Sequence, residues 1–204
     1  MVYAKYKRGD FTAFKREKFT PMAGLPVPAA RFISIKGFGT CAIKPSDTLK
    51  LEVQKDNANI IKYKMVNDTL VIGTNSMDDN GRNNTLVNIY LPASVQLSGA
   101  NCTFRIGGAK DSISAPSYSI KLTNSYLFIN FSGVDKSETY FNQLNINSSN
   151  SMIDLNNHAV VNNLNVQFVE TRLSDKQATI RKMTVESDNT SSIELSGKNT
   201  NALK

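Results

Sequence analysis

Tryptophan is absent from this chain of 204 residues, histidine occurs once and cysteine twice. Any Ser-His-Asp arrangement would have to pass through His158, in the turn Asn156-Asn157-His158, and no nucleophile-elbow motif accompanies it. A lone histidine in a turn is ordinarily structural or solvated. A P-loop, a dinucleotide fingerprint and zinc-ligand spacing are all missing. No catalytic residue, cofactor or metal site is therefore expected. Helix-forming runs are also scarce, and no apolar run in the first 31 residues is long enough for a signal peptide or a membrane span.

What is present is Asn, Ser and Thr alternating with Ile, Leu and Val, a composition that points to all-β structure with many turns. The length suits one domain of ordinary size with a real core. The formal charge of +7 is unevenly spread. Residues 1–31 carry seven Lys/Arg against Asp10 and Glu17, a balance of +5, and the remaining residues balance at +2. A nearly neutral body argues against nucleic acid as a partner, since phosphate binding needs Lys/Arg gathered on one surface. The basic stretch has two readings: a solvated arm, or a juxtamembrane leader whose Lys5–Lys18 cluster meets anionic lipid. Pro21, Pro26 and Pro28 mark a linker, so residues 1–31 are expected as leader and 32–204 as a single folded body.

The stretch QLNINSSNSMIDLNN (143–157) writes two short strands separated by a polar run without Gly or Pro. Copies of it recur. A first pair of apolar anchors reads Val95/Leu97, Ile120/Leu122, Leu144/Ile146, Leu164/Val166 and Met183/Val185. A second pair follows at a near-constant offset: Phe104/Ile106, Ile129/Phe131, Ile153/Leu155, Leu173/Asp175 and Ile193/Leu195. Only Asp175 breaks the apolar pattern. A third apolar position precedes the later copies at Phe141, Val161 and Ile180. Repeats of this size, each holding two or three short strands, are the signature of a β-solenoid. Asn147–Ser151 is then a corner, where Asn and Ser hydrogen-bond their own backbone. One expectation is concrete: Leu97, Leu122, Ile146, Val166 and Val185 should stack in one inward column, roughly 4.8 Å apart. Before residue 92 the strands are less regular, with Ile33/Ile35 and Ile43 reading as a looser first turn.

The order FISIKGFGTCAIKPSDTLKLEVQ, then VNIYLPASVQLSGAN, then β repeats with Ser-Gly steps at Ser98-Gly99, Ser132-Gly133 and Ser196-Gly197, resembles the head-GIN domain family of Bacteroidetes. Here Ser148-Ser149 and Gln167-Phe168 replace two of the family's Ser-Gly steps. The resemblance implies a right-handed β-helix-like fold with an irregular N-terminal β segment. It also implies an extracytoplasmic place in the cell envelope behind a membrane anchor. No established reaction comes with it.

The repeat register names the residues of an outward face. Within the second pair the outward column reads Arg105, Asn130, Asp154, Ser174 and Glu194. The neighbouring column reads Gln96, Lys121, Asn145, Asn165 and Thr184. Arg105, Asn130, Asp154, Glu194, Asn145 and Asn165 are the candidate binding-face residues. A polysaccharide-cutting solenoid enzyme would need carboxylates converging at one point, whereas Asp154 and Glu194 are separated by Ser174, about 10 Å by strand spacing. Neither is expected to have a basic residue beside it in the column, and the chain is expected not to be an enzyme. A non-catalytic domain binding an unknown glycan or protein is the first reading. A carbohydrate-active enzyme, or a structural or sensor domain, is the alternative. Cys41 and Cys102 each lie two residues before an anchor and should face inward at equivalent places, as small apolar side chains or as a disulfide.

Overall fold

The computed structural model describes residues 21–74, 83–129, 137–156 and 158–203. The Lys5–Lys18 cluster, Asn130, Phe131 and the Ser132-Gly133 step lie outside them. The first strands are β1 (Met22–Leu25), β2 (Phe32–Lys36), β3 (Phe38–Pro45), β4 (Lys50–Gln54), β5 (Ile61–Val66), β6 (Thr69–Thr74) and β7 (Asn83–Leu91). Strand pairs then repeat: β8 (Gln96–Ala100) with β9 (Thr103–Ile106), and β10 (Ser117–Thr123) with β11 (Tyr126–Ile129). They continue as β12 (Thr139–Ser149) with β13 (Met152–Asp154), β14 (Ala159–Val169) with β15 (Arg172–Ser174), and β16 (Thr179–Ser187) with β17 (Ser192–Glu194). A 3-10 turn over Gly197–Ala202 follows.

The even-numbered members from β8 to β16 stack in parallel in one sheet, and the odd-numbered members from β9 to β17 stack in parallel in the other. This is a β-solenoid, with its apolar side chains buried between the sheets. Parallel strands need crossovers, and here each crossover is itself a strand of the opposite sheet.

The N-terminal part is irregular in a specific way. β2 and β3 form a rung beside β8 and β9, but β6 and β7 lie outside them as a further rung. The first turn in sequence is thus second in space. Two antiparallel additions cover that end: β4 with β1 extends the sheet beyond β7, and β5 extends the other beyond β6. The edges thereby pass to β1, which is four residues long, and β5, which carries Lys62 and Lys64, and short or lysine-bearing edge strands are poor templates for another chain. The linker expected up to residue 31 is partly structured, because β1 pairs with β4 and Leu25, Val27 and Ala30 pack on the core.

The register departs from the expected one at a single repeat. Leu97 pairs with Ile120, not Leu122, and the column runs Leu97, Ile120, Ile146, Val166, Val185. Leu122 belongs to the next inward column, between Gly99 and Ser148. The same two-residue shift makes Leu127/Ile129 the second pair in place of Ile129/Phe131. The anchor overlooked was Tyr118, which takes the Leu144 position; its ring is buried and its hydroxyl donates to the Gly107 carbonyl at 3.2 Å. A buried ring with a satisfied hydroxyl is what makes Tyr acceptable in a core. The Ser-Gly slot is likewise occupied by Asn147-Ser148, one residue earlier than Ser148-Ser149.

The corners explain the polar run. Asn101, Asn124, Asn150 and Glu170 all take positive φ, between 46° and 55°. Asn adopts this left-handed backbone more readily than other side chains, so Gly is not required. The following residue carries a second column: Cys102, Ser125, Ser151 and Thr171. Each side chain donates to the carbonyl two residues back, at 2.8 Å for Ser125 and Ser151, 3.0 Å for Thr171 and 3.2 Å for Cys102. Each of the first three also accepts a backbone N–H from the neighbouring rung: Phe38 on Cys102, Cys102 on Ser125, and Ser125 on Ser151. Cys102 therefore holds a serine's place. Cys41 lies instead in the Phe104 column, so the two cysteines are not equivalent; both are free and buried. Burial pushes the Cys41 thiol up, and a hydrogen bond to Cys102 adds to the effect.

Asp175, the one polar anchor, fastens the C-terminal end. It is buried, accepting from Gln177 N at 2.9 Å, from Ser196 N and Oγ at 2.7 Å, and from Asn199 Nδ2 at 2.7 Å. Asn199 in turn accepts from Ile180 N at 3.1 Å and donates to the Ala178 carbonyl at 2.7 Å. An inward carboxylate is tolerable only when hydrogen bonds replace its hydration. Here they tie the 3-10 turn over the last rung.

Candidate functional site

The outward residues of β8, β10, β12, β14 and β16 form two adjacent columns across one sheet face. The first reads Gln96, Ser119, Asn145, Asn165, Thr184. The second reads Ser98, Lys121, Asn147, Gln167, Glu186. Lys121 thus belongs to the second column, displaced by the same two-residue shift. In-register stacking brings like side chains to strand spacing, where amides can bond one another. Asn147 Nδ2 donates to Gln167 Oε1 at 3.1 Å, and Gln167 Nε2 donates to Glu186 Oε2 at 2.8 Å. In the first column Asn165 Nδ2 and Gln143 Nε2 both donate to Asn145 Oδ1 at 2.9 Å. A shallow trough of about 560 Å³ runs over these columns and reaches Phe32 on β2.

The amide ladder of Asn147 and Gln167 was not among the residues expected from sequence. Its signal was available in the alternation of 144–149 and 164–169, twenty residues apart.

The opposite sheet carries the other candidates. Its outward column reads Arg105, Phe128, Asp154, Ser174, Glu194, so Phe128 occupies the slot expected for Asn130. Arg105, Asp154 and Glu194 therefore lie on a different face from Asn145 and Asn165. The five candidates among the described residues do not form one site. The two carboxylates are also not isolated. Lys176 Nζ lies 4.0 Å from Asp154 Oδ1, and Arg172 Nη2 donates to Glu194 Oε2 at 3.2 Å. The Arg172 and Ser174 hydrogen bonds hold the Glu194 carboxyl below its ordinary range. Within the column the neighbours are Phe128 and Ser174, neither of them basic; Lys176 and Arg172 reach in from positions outside it. A hollow of about 480 Å³ beside Asp154 is lined by Phe128, Asn156, Lys176 and Gln177.

His158 contributes backbone only: its N–H donates to Asn156 Oδ1 at 3.1 Å and its carbonyl accepts from Thr139 N at 2.9 Å. Among the described residues no three His, Cys, Asp or Glu side chains cluster as a metal centre would need, and no helix is long and apolar enough to cross a membrane.

No family model and no curated protein matches the chain. Solved structures do. A crystal structure of a "putative adhesin" from Parabacteroides distasonis aligns with a TM-score of 0.55 at 12% identity, covering 85% of this chain and 72% of that one. Another "putative adhesin", from Parabacteroides merdae, gives 0.47 at 9% identity, with 85% and 79% covered. A "putative lipid binding protein" from Parabacteroides distasonis gives 0.40 at 13%, with 85% and 80% covered. The first of these shares the fold; at such identity the likeness carries the fold and nothing more.

Proposed function

We propose that this chain is a non-catalytic binding domain of the cell envelope, related to the head-GIN domains, which adheres to a polymeric ligand through an outward sheet face. The observation that carries the reading is the amide ladder over β12, β14 and β16. It offers donors and acceptors at one fixed spacing along the coil axis, the arrangement by which repeat proteins bind extended ligands. The adhesin-like fold of the Parabacteroides distasonis structure supports the same class. General acid–base chemistry needs two groups held within reach of one bond with their protonation poised apart. Asp154 and Glu194 are two rungs apart, and each already faces a cation.

The experiment is to incubate the purified chain with a panel of polysaccharides, scoring retention and products together. Retention without shortened products is expected. Turnover that disappears in Asp154→Asn or Glu194→Gln would overturn the reading. Fractionating cells that express the native gene should place the protein with the envelope, and full recovery in the cytosol would sink that part.

A further inference from the structure

The trough ends at Phe32 and Ile33 on β2, but the sheet face beneath it continues across β2 onto β6 and β5, and there its chemistry changes. Ile33 and Ile35 face inward, so Phe32, Ser34 and Lys36 face out. β5 pairs antiparallel with β6, with Val66 opposite Thr69, Lys64 opposite Val71 and Lys62 opposite Gly73. Leu70 and Ile72 are buried, so Val71 and Gly73, and with them Lys64 and Lys62, share the outward face of Phe32 and Lys36. Following the register across, Lys64, Val71, Ser34, Ser98 and Lys121 form one continuous column. That places Lys64 and Lys121 four strand spacings apart, roughly 19 Å. Lys62 and Lys36 stand one outward position further along the strands, two spacings or roughly 10 Å from each other.

All four lysines are exposed, and among the described residues none has an ion-pair partner. The acid on these columns is Glu186, on the last strand at the far end. A chain whose body is nearly neutral has thus sorted its charge by folding. β5 and β2 are distant in sequence from β10, and only the interleaved N-terminal rungs bring them onto one face.

We infer that this face binds a linear acidic polysaccharide, a polymer of uronic acids, with its carboxylates on Lys36, Lys62, Lys64 and Lys121 and its hydroxyls on the amide ladder. The inference rests on the binding-domain reading above and names its ligand class. Three features favour this occupant. Ammonium groups without an ion-pair partner among the described residues, over columns with one terminal carboxylate, complement a polyanion. Uncharged amides continuing along the same axis suit sugar hydroxyls. Phe32, 38% exposed at the junction, offers a ring to the apolar face of a pyranose. An anionic bilayer also attracts lysines, but it would leave unused the amide columns that continue the same face through the trough, where Lys121 stands, and these suit the hydroxyls of a strand-like polymer.

The test uses the full chain and three probes: polygalacturonate, the same polymer with its carboxyls reduced to alcohols, and vesicles of phosphatidylglycerol. Retention on polygalacturonate is expected, falling steeply with added salt, with little on the reduced polymer. The triple variant Lys36→Gln, Lys62→Gln, Lys64→Gln should bind roughly tenfold or more weakly, since each lost contact is charge-assisted. The corresponding Lys→Arg variant should keep most of the affinity, and circular dichroism should match the parent for both. Equal retention on the reduced polymer, untouched by the triple variant, would overturn the acidic class while leaving the binding-domain reading standing. Lysine-dependent binding to the vesicles and to neither polymer would replace the polysaccharide with a membrane surface. Retention on none of the three probes would overturn the acidic-polysaccharide assignment, and failure across the wider polysaccharide panel as well would remove the binding-domain reading.

Discussion

Two residues show how little freedom the coil leaves at single positions. Gly99 faces inward beside Leu122, and the space a side chain would fill there is taken by the Phe104 ring. A Cβ on Gly99 would lie 2.2 and 2.3 Å from two of its carbons. This is the physical content of the Ser98-Gly99 step: Ser98 Oγ donates to the Ile33 carbonyl at 3.1 Å, and Gly99 makes room. Gly99→Ala should therefore destabilise by about 1–3 kcal/mol, the usual cost of overpacking, read as a lower denaturant midpoint at unchanged slope. A Phe104→Leu second substitution should recover part of the loss. Cys102 makes the complementary case. Because its neighbours in the column are hydroxyls, Cys102→Ser should change stability by less than about 1 kcal/mol. Ser125→Ala should instead cost about 1–3 kcal/mol, because it strands the buried Cys102 N–H. Equal losses from these two variants would contradict the shared role of the column.

At the scale of the element, alternation and repeat were legible and register was not. Period-two alternation identified inward and outward faces correctly even where pairing was displaced, because a shift of two residues keeps every side chain on its face. That is why Ile120/Leu122 and Ile129/Phe131 could stand in for Tyr118/Ile120 and Leu127/Ile129 without breaking the seven-residue offset. The amide ladder needed the true register to be seen. The lysine face needed more, since β5, β2 and β10 are joined by topology and not by any repeat in the sequence. The corners were readable as polar runs, but not that a single left-handed residue turns each of the four from β8–β9 to β14–β15. Glu170 is the exception in that column, with φ of 50° where its counterparts are Asn. Among the described residues its carboxylate makes no bond that Asn would lose, since the hydrogen bonds at this corner use its backbone N–H, which donates to Asp188 Oδ1 at 3.3 Å. Glu170→Asn should then stabilise by up to about 1 kcal/mol, the part of the left-handed penalty that Asn avoids. A fall in the thermal midpoint would mean that the glutamate does something at this corner beyond adopting its backbone.

For the molecule as a whole, the two ends are closed by different means, and this predicts where it opens. A stacked coil is only as cooperative as its rung-to-rung contacts, so opening begins at an end. The N-terminal end is held by backbone pairing in β1, β4 and β5, supplemented among the described residues by the Tyr90 hydroxyl donating to Glu52 Oε2 at 2.9 Å and an exposed Arg31–Asp68 pair. The C-terminal end depends on Asp175. Burial raises this carboxyl, but the hydrogen bonds from Asn199, Gln177 and Ser196 outweigh it, and the net displacement is downward from the ordinary carboxylate value. A carboxylate with a depressed folded value contributes stability that is fully present above its unfolded value, and loses it as pH falls through the folded one. Acidification below the ordinary carboxylate range, about 3.9 for Asp, should thus release the 3-10 turn over Gly197–Ala202 while β12 remains paired. Hydrogen exchange followed by mass spectrometry reads this directly. Peptides covering 176–199 should lose protection at a higher pH than peptides covering 141–149, and Asp175→Asn should show the loose C-terminal end already at neutral pH. Once the turn lifts, the free edges of β16 and β17 are exposed to pairing with another chain, so light scattering should rise over the same pH interval. Simultaneous loss of protection at both ends would show that the coil unfolds as one unit and that Asp175 is no weaker a fastening than the antiparallel strands opposite it.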